Sequence, residues 1–240
     1  MTTRHIPLDE RIIFALDFAS PETAKAWVER LEGPIRFFKV GLQLFLAGHF
    51  DIVDWIIKRG HKVMLDLKFF DVPETVKLAV RQVRDRGVSF ATIHGNDPII
   101  RAAVAEKGDL NLLAVTVLTS FDESDLRAMG LTGSVEELVQ RRARKALDLG
   151  CDGVVSSGWE AERLRSEFGD KFFIVTPGIR PGANVETSED DQKRIMTAER
   201  ALSNGADHVV VGRPISRAAD PLAVVEAMRE NIRLALPGRV

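Results

Sequence analysis

Residues 12–20 read Ile12-Ile13-Phe14-Ala15-Leu16-Asp17-Phe18-Ala19-Ser20, an unbroken apolar run that ends in an aspartate. A short run of this kind is typical of a parallel strand that is buried on both faces. An open dinucleotide-binding sheet would place a glycine-rich loop directly after its first strand. Residues 16–20 contain no glycine, so the stretch favours a closed α/β barrel over a doubly wound sheet.

Similar apolar segments recur along the chain and alternate with amphipathic helical patterns. A glycine that fits a helix C-cap (Gly60, Gly87, Gly150 or Gly205) stands just before four of them. Eight such units in 240 residues predict one (β/α)8 TIM barrel domain over residues 1–240. The predicted strands are Ile12–Asp17, Phe37–Val40, Lys62–Leu67, Phe90–His94, Leu112–Leu118, Gly153–Val155, Phe172–Thr176 and His208–Val211. Helical patterns include Pro21–Leu31, Val72–Arg86, Val135–Leu149 and Glu189–Asn204.

The composition argues against several classes of protein. A hydrophobic fraction of 45% and a net charge of −2 are ordinary for a globular protein and offer no basic excess for nucleic acid. There is no signal-peptide pattern and no long apolar run, so we expect a cytoplasmic protein without membrane association. The one cysteine, Cys151, permits no intrachain disulfide and no cysteine metal cluster, and is interpreted as a small residue that opens a strand.

Charged residues stand at the carboxyl ends of the first three predicted strands, where barrel enzymes carry their catalytic groups. Asp17 ends the first strand, Lys39 lies in the second, and the third ends Leu65-Asp66-Leu67-Lys68-Phe69-Phe70-Asp71. Because strand side chains alternate, Asp66 and Lys68 share one face, which in a barrel is the interior. Buried charges are costly unless they are paired. We therefore expect a network of alternating sign at the barrel mouth.

Each of these charges also has a purely structural explanation. Lys39 can be a structural partner of Asp66. Asp71 directly precedes a proline-containing helix start, so it can be the N-cap of that helix, and Asp17 can cap the first long helix. The joint occurrence of the charges with phosphate-binding features favours a functional site.

The segments that follow strands seven and eight fit a phosphate. Barrels usually bind phosphates with these two loops and a nearby helix N-terminus. The segments read Thr176-Pro177-Gly178-Ile179-Arg180 and Gly212-Arg213-Pro214-Ile215. In the second, the glycine allows close backbone approach and the proline suits the first turn of a short helix. Arg180 and Arg213 each offer a forked donor, so the sequence predicts an anion site here.

Taken together, these residues resemble the orotidine 5′-phosphate decarboxylases, in particular the bacterial branch, over essentially the whole chain. Residues 66–71 fit the D-x-K-x-x-D signature, which also occurs in related sugar-phosphate decarboxylases and hexulose-phosphate synthases. The T-P-G-I-R, D-Q and G-R-P-I segments are much more specific. The matching segments after residue 71 are Val72-Pro73 with Thr75, Thr116–Ser120, Thr176–Arg180, Asp191–Ile195 and Gly212–Ile215.

The resemblance implies decarboxylation of orotidine 5′-monophosphate to uridine 5′-monophosphate in de novo pyrimidine biosynthesis, without a cofactor or a metal. Lys39, Asp66, Lys68 and Asp71 would form the catalytic array, in which Lys68 stabilises the carbanion and donates the proton. It also implies a homodimer in which Asp71 and Thr75 reach into the partner's site. The implied substrate-binding residues are Asp17, Thr75, Thr119, Ser120, Arg180, Gln192, Gly212 and Arg213.

Within that set, the resemblance implies that Asp17 binds ribose hydroxyls and that Thr119 or Ser120 contacts the pyrimidine. Gln192, Arg213 and the Gly212 amide would hold the phosphate, supported by Arg180.

The chain departs from the family pattern at two places. Glu74 stands where asparagine is common, and the loop from Arg180 to Gln192 is longer than usual, so its Pro181–Asp191 part, with Gly182 as a flexible point, is predicted as a lid. Two other functions stay open: a magnesium-dependent sugar-phosphate decarboxylase or synthase on the same barrel, and a catalytically silent nucleotide-binding barrel.

Overall fold

A computed structural model describes residues 4–180 and 194–238, in which eight parallel strands close into a barrel. Each strand pairs with its neighbours in sequence, and β1 pairs with β8 in the register Ile12 to Val209, which closes the ring. The predicted (β/α)8 fold is confirmed. The strands are β1 Ile12–Ala15, β2 Phe37–Gly41, β3 Lys62–Phe69, β4 Phe90–Ile93, β5 Asn111–Val115, β6 Gly153–Val155, β7 Phe173–Thr176 and β8 His208–Val211.

One short helix precedes β1, and the other helices follow the strands and cover the outside of the barrel. In the described ranges, none of them is long and apolar enough to cross a membrane. The helices are α1 Leu8–Arg11, α2 Pro21–Leu31, α3 Leu42–Lys58, α4 Pro73–Arg84, α5 Asp97–Glu106, α6 Glu123–Ala128, α7 Val135–Asp148, α8 Ala161–Phe168, α9 Ala198–Ser203, α10 Arg213–Ser216 and α11 Pro221–Ala235.

Three of the helical patterns are confirmed within about two residues, but the helix predicted over Glu189–Asn204 is wrong over residues 194–197. Its first residues lie outside the described ranges, and the described part becomes helical only at Ala198. Met196 instead forms a bridge with Ile179, and its carbonyl accepts a hydrogen bond from the Arg180 amide at 2.9 Å. This pairing beyond the end of β7 holds Met196 outside the helix, although the apolar spacing of residues 195 and 196 continues the helical pattern.

The core has two parts, one between the strands and the helices and one inside the barrel. Inside the barrel, side chains from alternate strand positions form layers, as is usual for this fold. The interior apolar residues are Ile13, Ala15, Phe37, Met64, Phe90, Leu113, Val115, Val155, Val175 and Val210. Beyond these layers, at the carboxyl end of the strands, the same faces carry polar residues such as Asp66 and Thr92.

Cys151 lies buried just before β6, as the sequence predicts. Burial raises the pKa of its thiol to about 12, and the neighbouring Asp152 acts in the same direction. The thiol is therefore protonated and unreactive near neutral pH.

Candidate active site

Four charged side chains of alternating sign meet at the carboxyl end of β1 to β3. The Lys39 ammonium lies 2.9 Å from Asp17 and 3.6 Å from Asp66, and the Lys68 ammonium lies 2.8 Å from the other oxygen of Asp66. The charges therefore alternate in sign from Asp17 through Lys39 and Asp66 to Lys68. The predicted network is present for these four residues, and the structural pairing of Lys39 with Asp66 is part of it.

Burial and pairing oppose each other in this cluster. Burial alone would raise the pKa of Asp66, but Lys39 and Lys68, together with hydrogen bonds from Lys68 and Thr92, bring that pKa below its usual value. Burial alone would lower the pKa of Lys39, yet Asp66 and Asp17 raise it overall. Both residues therefore stay ionised at neutral pH. The side chain of Lys68 is 34% exposed and opens toward solvent, so a ligand can reach it.

The backbone of β3 is irregular where the cluster forms. The register with β4 shifts between Leu65 and Phe69, and Lys68 has a positive φ of 48°. Its amide donates to the Thr92 hydroxyl at 2.9 Å, and that hydroxyl donates to Asp66 at 2.9 Å. Side-chain alternation predicts that Asp66 and Lys68 share a face, but it does not reveal this local distortion.

Two glycines leave room for the Asp17 carboxylate. A Cβ atom on Gly41 would lie 3.2 Å from the Lys39 ammonium and 3.5 Å from Asp17. A Cβ atom on Gly212 would lie 3.3 Å from Ala15 and 3.6 Å from Asp17. Gly212 thus borders the charged cluster from β8 and directly precedes α10, which begins with Arg213. This confirms the predicted short helix after β8.

Asp71 and Thr75 lie apart from the cluster and are exposed. None of the ion pairs among residues 4–180 and 194–238 joins Asp71 to Lys39 or Lys68. The alternative that Asp71 caps α4 is wrong, because the N-cap of α4 is Val72 and the Asp71 carboxylate accepts the adjacent Val72 amide, at 2.6 Å.

The alternative that Asp17 caps α2 is wrong as well. Ser20 caps α2 by accepting the Thr23 amide at 3.2 Å. The Asp17 carboxylate instead pairs with Lys39.

Arg194, which follows the β7 loop, joins the loop after β5 to Glu160, the residue before α8. Thr119 is buried and Ser120 half-buried in that loop. Arg194 donates to the Leu118 carbonyl at 3.2 Å and pairs with Glu160, which also accepts from Ser156 at 3.2 Å. The loop that carries Thr119 and Ser120, the residues predicted to contact the pyrimidine, is thus hydrogen-bonded to Arg194.

Arg180 is described, whereas Gln192 and the segment predicted as a lid, Pro181–Asp191, lie outside the described residues. The Arg180 guanidinium is buried and donates to the Ile179 carbonyl at 2.7 Å. Within the described ranges, no group of three or more His, Cys, Asp or Glu side chains is arranged to hold a metal ion.

The sequence prediction missed Thr92, Gly41 and the pair of Glu160 with Arg194. A usable signal existed for Thr92, because it lies two residues after the inward-facing Phe90 and so shares its face. Glu160 and Arg194 could not be found in this way, since they are distant in sequence and lie in loops.

Together, the fold and this charged mouth define a (β/α)8-barrel enzyme whose lysine and aspartate side chains converge from the first three strands. Comparison with known proteins gives the family. The model of the Orotidine 5'-phosphate decarboxylase / HUMPS family matches residues 10–228. The chain belongs to this family.

Relatives match over nearly their whole length. An orotidine 5'-phosphate decarboxylase of Methylococcus capsulatus is 52% identical over 234 residues, which is 97% of this chain and 96% of that protein. The enzyme of that name from Xanthomonas euvesicatoria is 45% identical over 242 residues, covering 99% and 98% of the two chains. The chain is accordingly an enzyme, a decarboxylase of this family.

Solved structures of the family superpose on the barrel. A crystal structure of orotidine 5'-phosphate decarboxylase from Lactobacillus acidophilus has a TM-score of 0.81 at 32% identity, covering 93% of this chain and 99% of that one. The Pyrococcus horikoshii structure of that name has a TM-score of 0.73 at 25% identity, covering 92% and 99%.

Proposed function

We propose that the chain, acting over residues 1–240 as one catalytic domain, converts orotidine 5′-monophosphate to uridine 5′-monophosphate without a cofactor. The observation that carries this proposal is the Lys68 ammonium, held 2.8 Å from Asp66 at the open end of the barrel. The names of the relatives support the substrate, which would place the enzyme in de novo pyrimidine biosynthesis.

In this reaction the bond between ring carbon six and the carboxylate breaks, and carbon dioxide leaves. The electron pair stays on carbon six, where no neighbouring group delocalises it well. The Lys68 ammonium stabilises that developing charge and then transfers a proton to the carbon. The resulting amine regains its proton from solvent, which its partial exposure permits.

Asp66 has a second role in this proposal. Its carboxylate lies beside the substrate carboxylate, so like charges raise the energy of the bound substrate and the repulsion disappears as carbon dioxide leaves. This requires Asp66 to be ionised when the substrate is bound. Lys39, at 3.6 Å from Asp66, supports that state because it lowers the pKa of Asp66.

Electrostatic contacts at the ring are too small to supply the whole effect. Enzymes lower barriers by up to roughly 23 kcal/mol, and one preorganised contact is typically worth about 3–4 kcal/mol. The remaining stabilisation must come in part from binding energy at the remote phosphate. Arg213, the Gly212 amide, Gln192 and Arg180 are proposed to bind or support the phosphate, with residues 181–191 as a lid.

The remaining substrate contacts follow the geometry of the mouth. Asp17 is proposed to bind the ribose hydroxyls, since its side chain is 60% exposed beside Lys39. Thr119 or Ser120 would contact the pyrimidine.

A second copy of the chain is proposed to complete the site through Asp71 and Thr75. Both residues are exposed, and the neighbouring Phe70 and Val72 are 66% and 63% exposed. Adjacent large apolar side chains at a surface are typical of an association site, and twofold dimers are the commonest oligomers. Burial of this surface would carry Asp71 and Thr75 into the partner's cleft.

An absorbance assay with orotidine 5′-monophosphate tests the function. The full chain should turn the substrate over equally well with and without a chelator, and Lys68→Ala should nearly abolish turnover. The matched control is Lys145→Ala, which removes a surface lysine paired with Asp97 at 3.2 Å and should leave the rate unchanged.

The outcomes separate the alternatives. Loss of activity with a chelator would indicate the magnesium-dependent relatives. Binding of uridine monophosphate without turnover would indicate a silent barrel. A Lys68→Ala rate close to that of the unmodified chain would rule out Lys68 as the proton donor.

A further inference from the structure

Thr92 occupies the centre of the charged mouth although it carries no charge itself. It lies in β4, is fully buried and faces the barrel interior. Its hydroxyl accepts a hydrogen bond from the Lys68 amide and donates one to the Asp66 carboxylate, each at 2.9 Å. A hydroxyl has one donor and two acceptor sites, so it can serve both groups at once.

The first of these bonds supports an unusual piece of backbone. Lys68 has a φ of 48°, in the left-handed region that lysine rarely adopts. The register of β3 against β4 shifts between Leu65 and Phe69, and within this shift the Lys68 amide donates to the Thr92 hydroxyl. The hydroxyl therefore gives this amide an acceptor at the point where the pairing of the two strands is irregular.

The second bond fixes the direction of the carboxylate. One carboxylate oxygen of Asp66 accepts hydrogen bonds from the Lys68 ammonium and the Thr92 hydroxyl. The other oxygen lies 3.6 Å from the Lys39 ammonium. These contacts come from β2, β3 and β4, and together they leave the carboxylate one orientation. One hydroxyl thus acts on both members of the Lys68–Asp66 pair.

We propose that Thr92 is a positioning residue of the reaction, which holds the Lys68 backbone and the Asp66 carboxylate in the geometry that proton transfer needs. The inference rests on the proposed function. Thr92 acts through its two neighbours, while the phosphate and ribose are held by other residues. Its loss should therefore lower kcat far more than it raises KM.

The test compares Thr92→Val, which keeps the shape, with Thr92→Ser, which keeps the hydroxyl. Misplacement of a catalytic group by about 1 Å can cost roughly 100-fold in rate. We expect kcat of Thr92→Val to fall by about 10- to 100-fold with KM within about threefold, and Thr92→Ser to recover most of that loss. The pKa of Asp66, followed by carboxyl NMR, should rise in Thr92→Val because one stabilising hydrogen bond is gone.

Thr116→Val is the matched control. Thr116 is 1% exposed, and its hydroxyl donates to the Val155 carbonyl at 2.9 Å, outside the charged cluster. The substitution is chemically identical and also removes one buried hydrogen bond, so it measures the general cost of the change. We expect kcat near that of the unmodified chain.

Several results would overturn the inference. They are an unchanged kcat in Thr92→Val, equal losses in the valine and serine variants, or a change confined to KM. If Thr92→Val does not fold, Thr92→Cys replaces it with the same expectations. If the unmodified chain lacks decarboxylase activity, the proposed function fails, and the Asp66 titration alone then decides whether Thr92 organises the pair.

Discussion

At the scale of single residues, the conformation of Lys68 is a clear sign of a functional constraint. A left-handed backbone costs an L-residue about 1–2 kcal/mol, and such conformations persist where the surroundings over-determine them. Here the surroundings are the Thr92 hydroxyl and the Asp66 carboxylate, at 2.9 and 2.8 Å. These contacts give a long, flexible side chain a defined direction.

Residue positions that follow strand periodicity were predictable from the sequence, and those that depend on distant pairing were not. The convergence of Asp17, Lys39, Asp66 and Lys68 follows from their places at strand ends, and the structure brings them together. The support from Thr92 depends on how β3 slips against β4. This register shift depends on contacts between residues that are far apart in the sequence, so the pattern of β3 alone does not predict it.

Removal of the Arg213 guanidinium should depress kcat/KM by orders of magnitude, although Arg213 is proposed to contact only the remote phosphate. The physical reason is that phosphate binding energy assembles the site around the ring. The measurement is steady-state kinetics of Arg213→Ala with orotidine 5′-monophosphate.

Arg217→Ala provides the matched control for that prediction. Arg217 follows α10 by one residue and is exposed, so its loss should leave kcat/KM unchanged. A decrease below about threefold in Arg213→Ala would refute the remote role of the phosphate site.

At the scale of elements, Arg165 makes several buried contacts at the amino end of the barrel. Arg165 of α8 donates to the carbonyls of Gly205 and Phe172, both at 2.8 Å, and pairs with Asp207. Asp207 is fully buried and also accepts the Ile174 amide at 2.8 Å. The contacts connect one helix to β7 and to the residue before β8, at the opposite end of the strands from the charged cluster.

Arg165→Ala should lower the free energy of unfolding by about 3–5 kcal/mol, because the buried Asp207 carboxylate would keep only the Ile174 amide and the more distant Arg4 guanidinium, at 3.9 Å. Urea denaturation measures this loss, while kcat of the folded enzyme should not change. Arg163→Ala is the control on the same helix: its exposed pair with Glu136, at 2.7 Å, should contribute less than about 1 kcal/mol. Equal losses in both variants would contradict the prediction.

At the scale of the whole molecule, the rhythm of apolar segments predicts the barrel because each βα unit repeats the same burial pattern. All eight strands lie where that pattern places them. The spacing of these segments does not predict which side chains fill the barrel. Those side chains come from many strands and contact each other only after β1 pairs with β8 and closes the ring. His208, a histidine in an apolar strand, becomes fully enclosed in this way: its ring centroid lies 5.4 Å from both Phe37 and Phe90.

The enclosed His208 should make the whole barrel sensitive to acid. Burial lowers the pKa of His208 to about 3, the hydrogen bond with the Glu10 carbonyl only partly opposes this, and Arg11, Lys62 and Arg4 add to the lowering. In the unfolded chain a histidine has a pKa of about 6.5. Between these two values the unfolded state binds more protons, so stability falls as the pH drops from about 6.5 toward 3.

One such group contributes about 1.4 kcal/mol per pH unit within that window, hence about 2 kcal/mol between neutral pH and about pH 5. Urea unfolding at both pH values should therefore show a smaller acid loss, by about that amount, in His208→Gln than in the unmodified chain. His5→Gln, at an exposed histidine of the same barrel end, should keep the full loss. An identical pH dependence in all three proteins would mean that His208 is not what makes the barrel acid-sensitive.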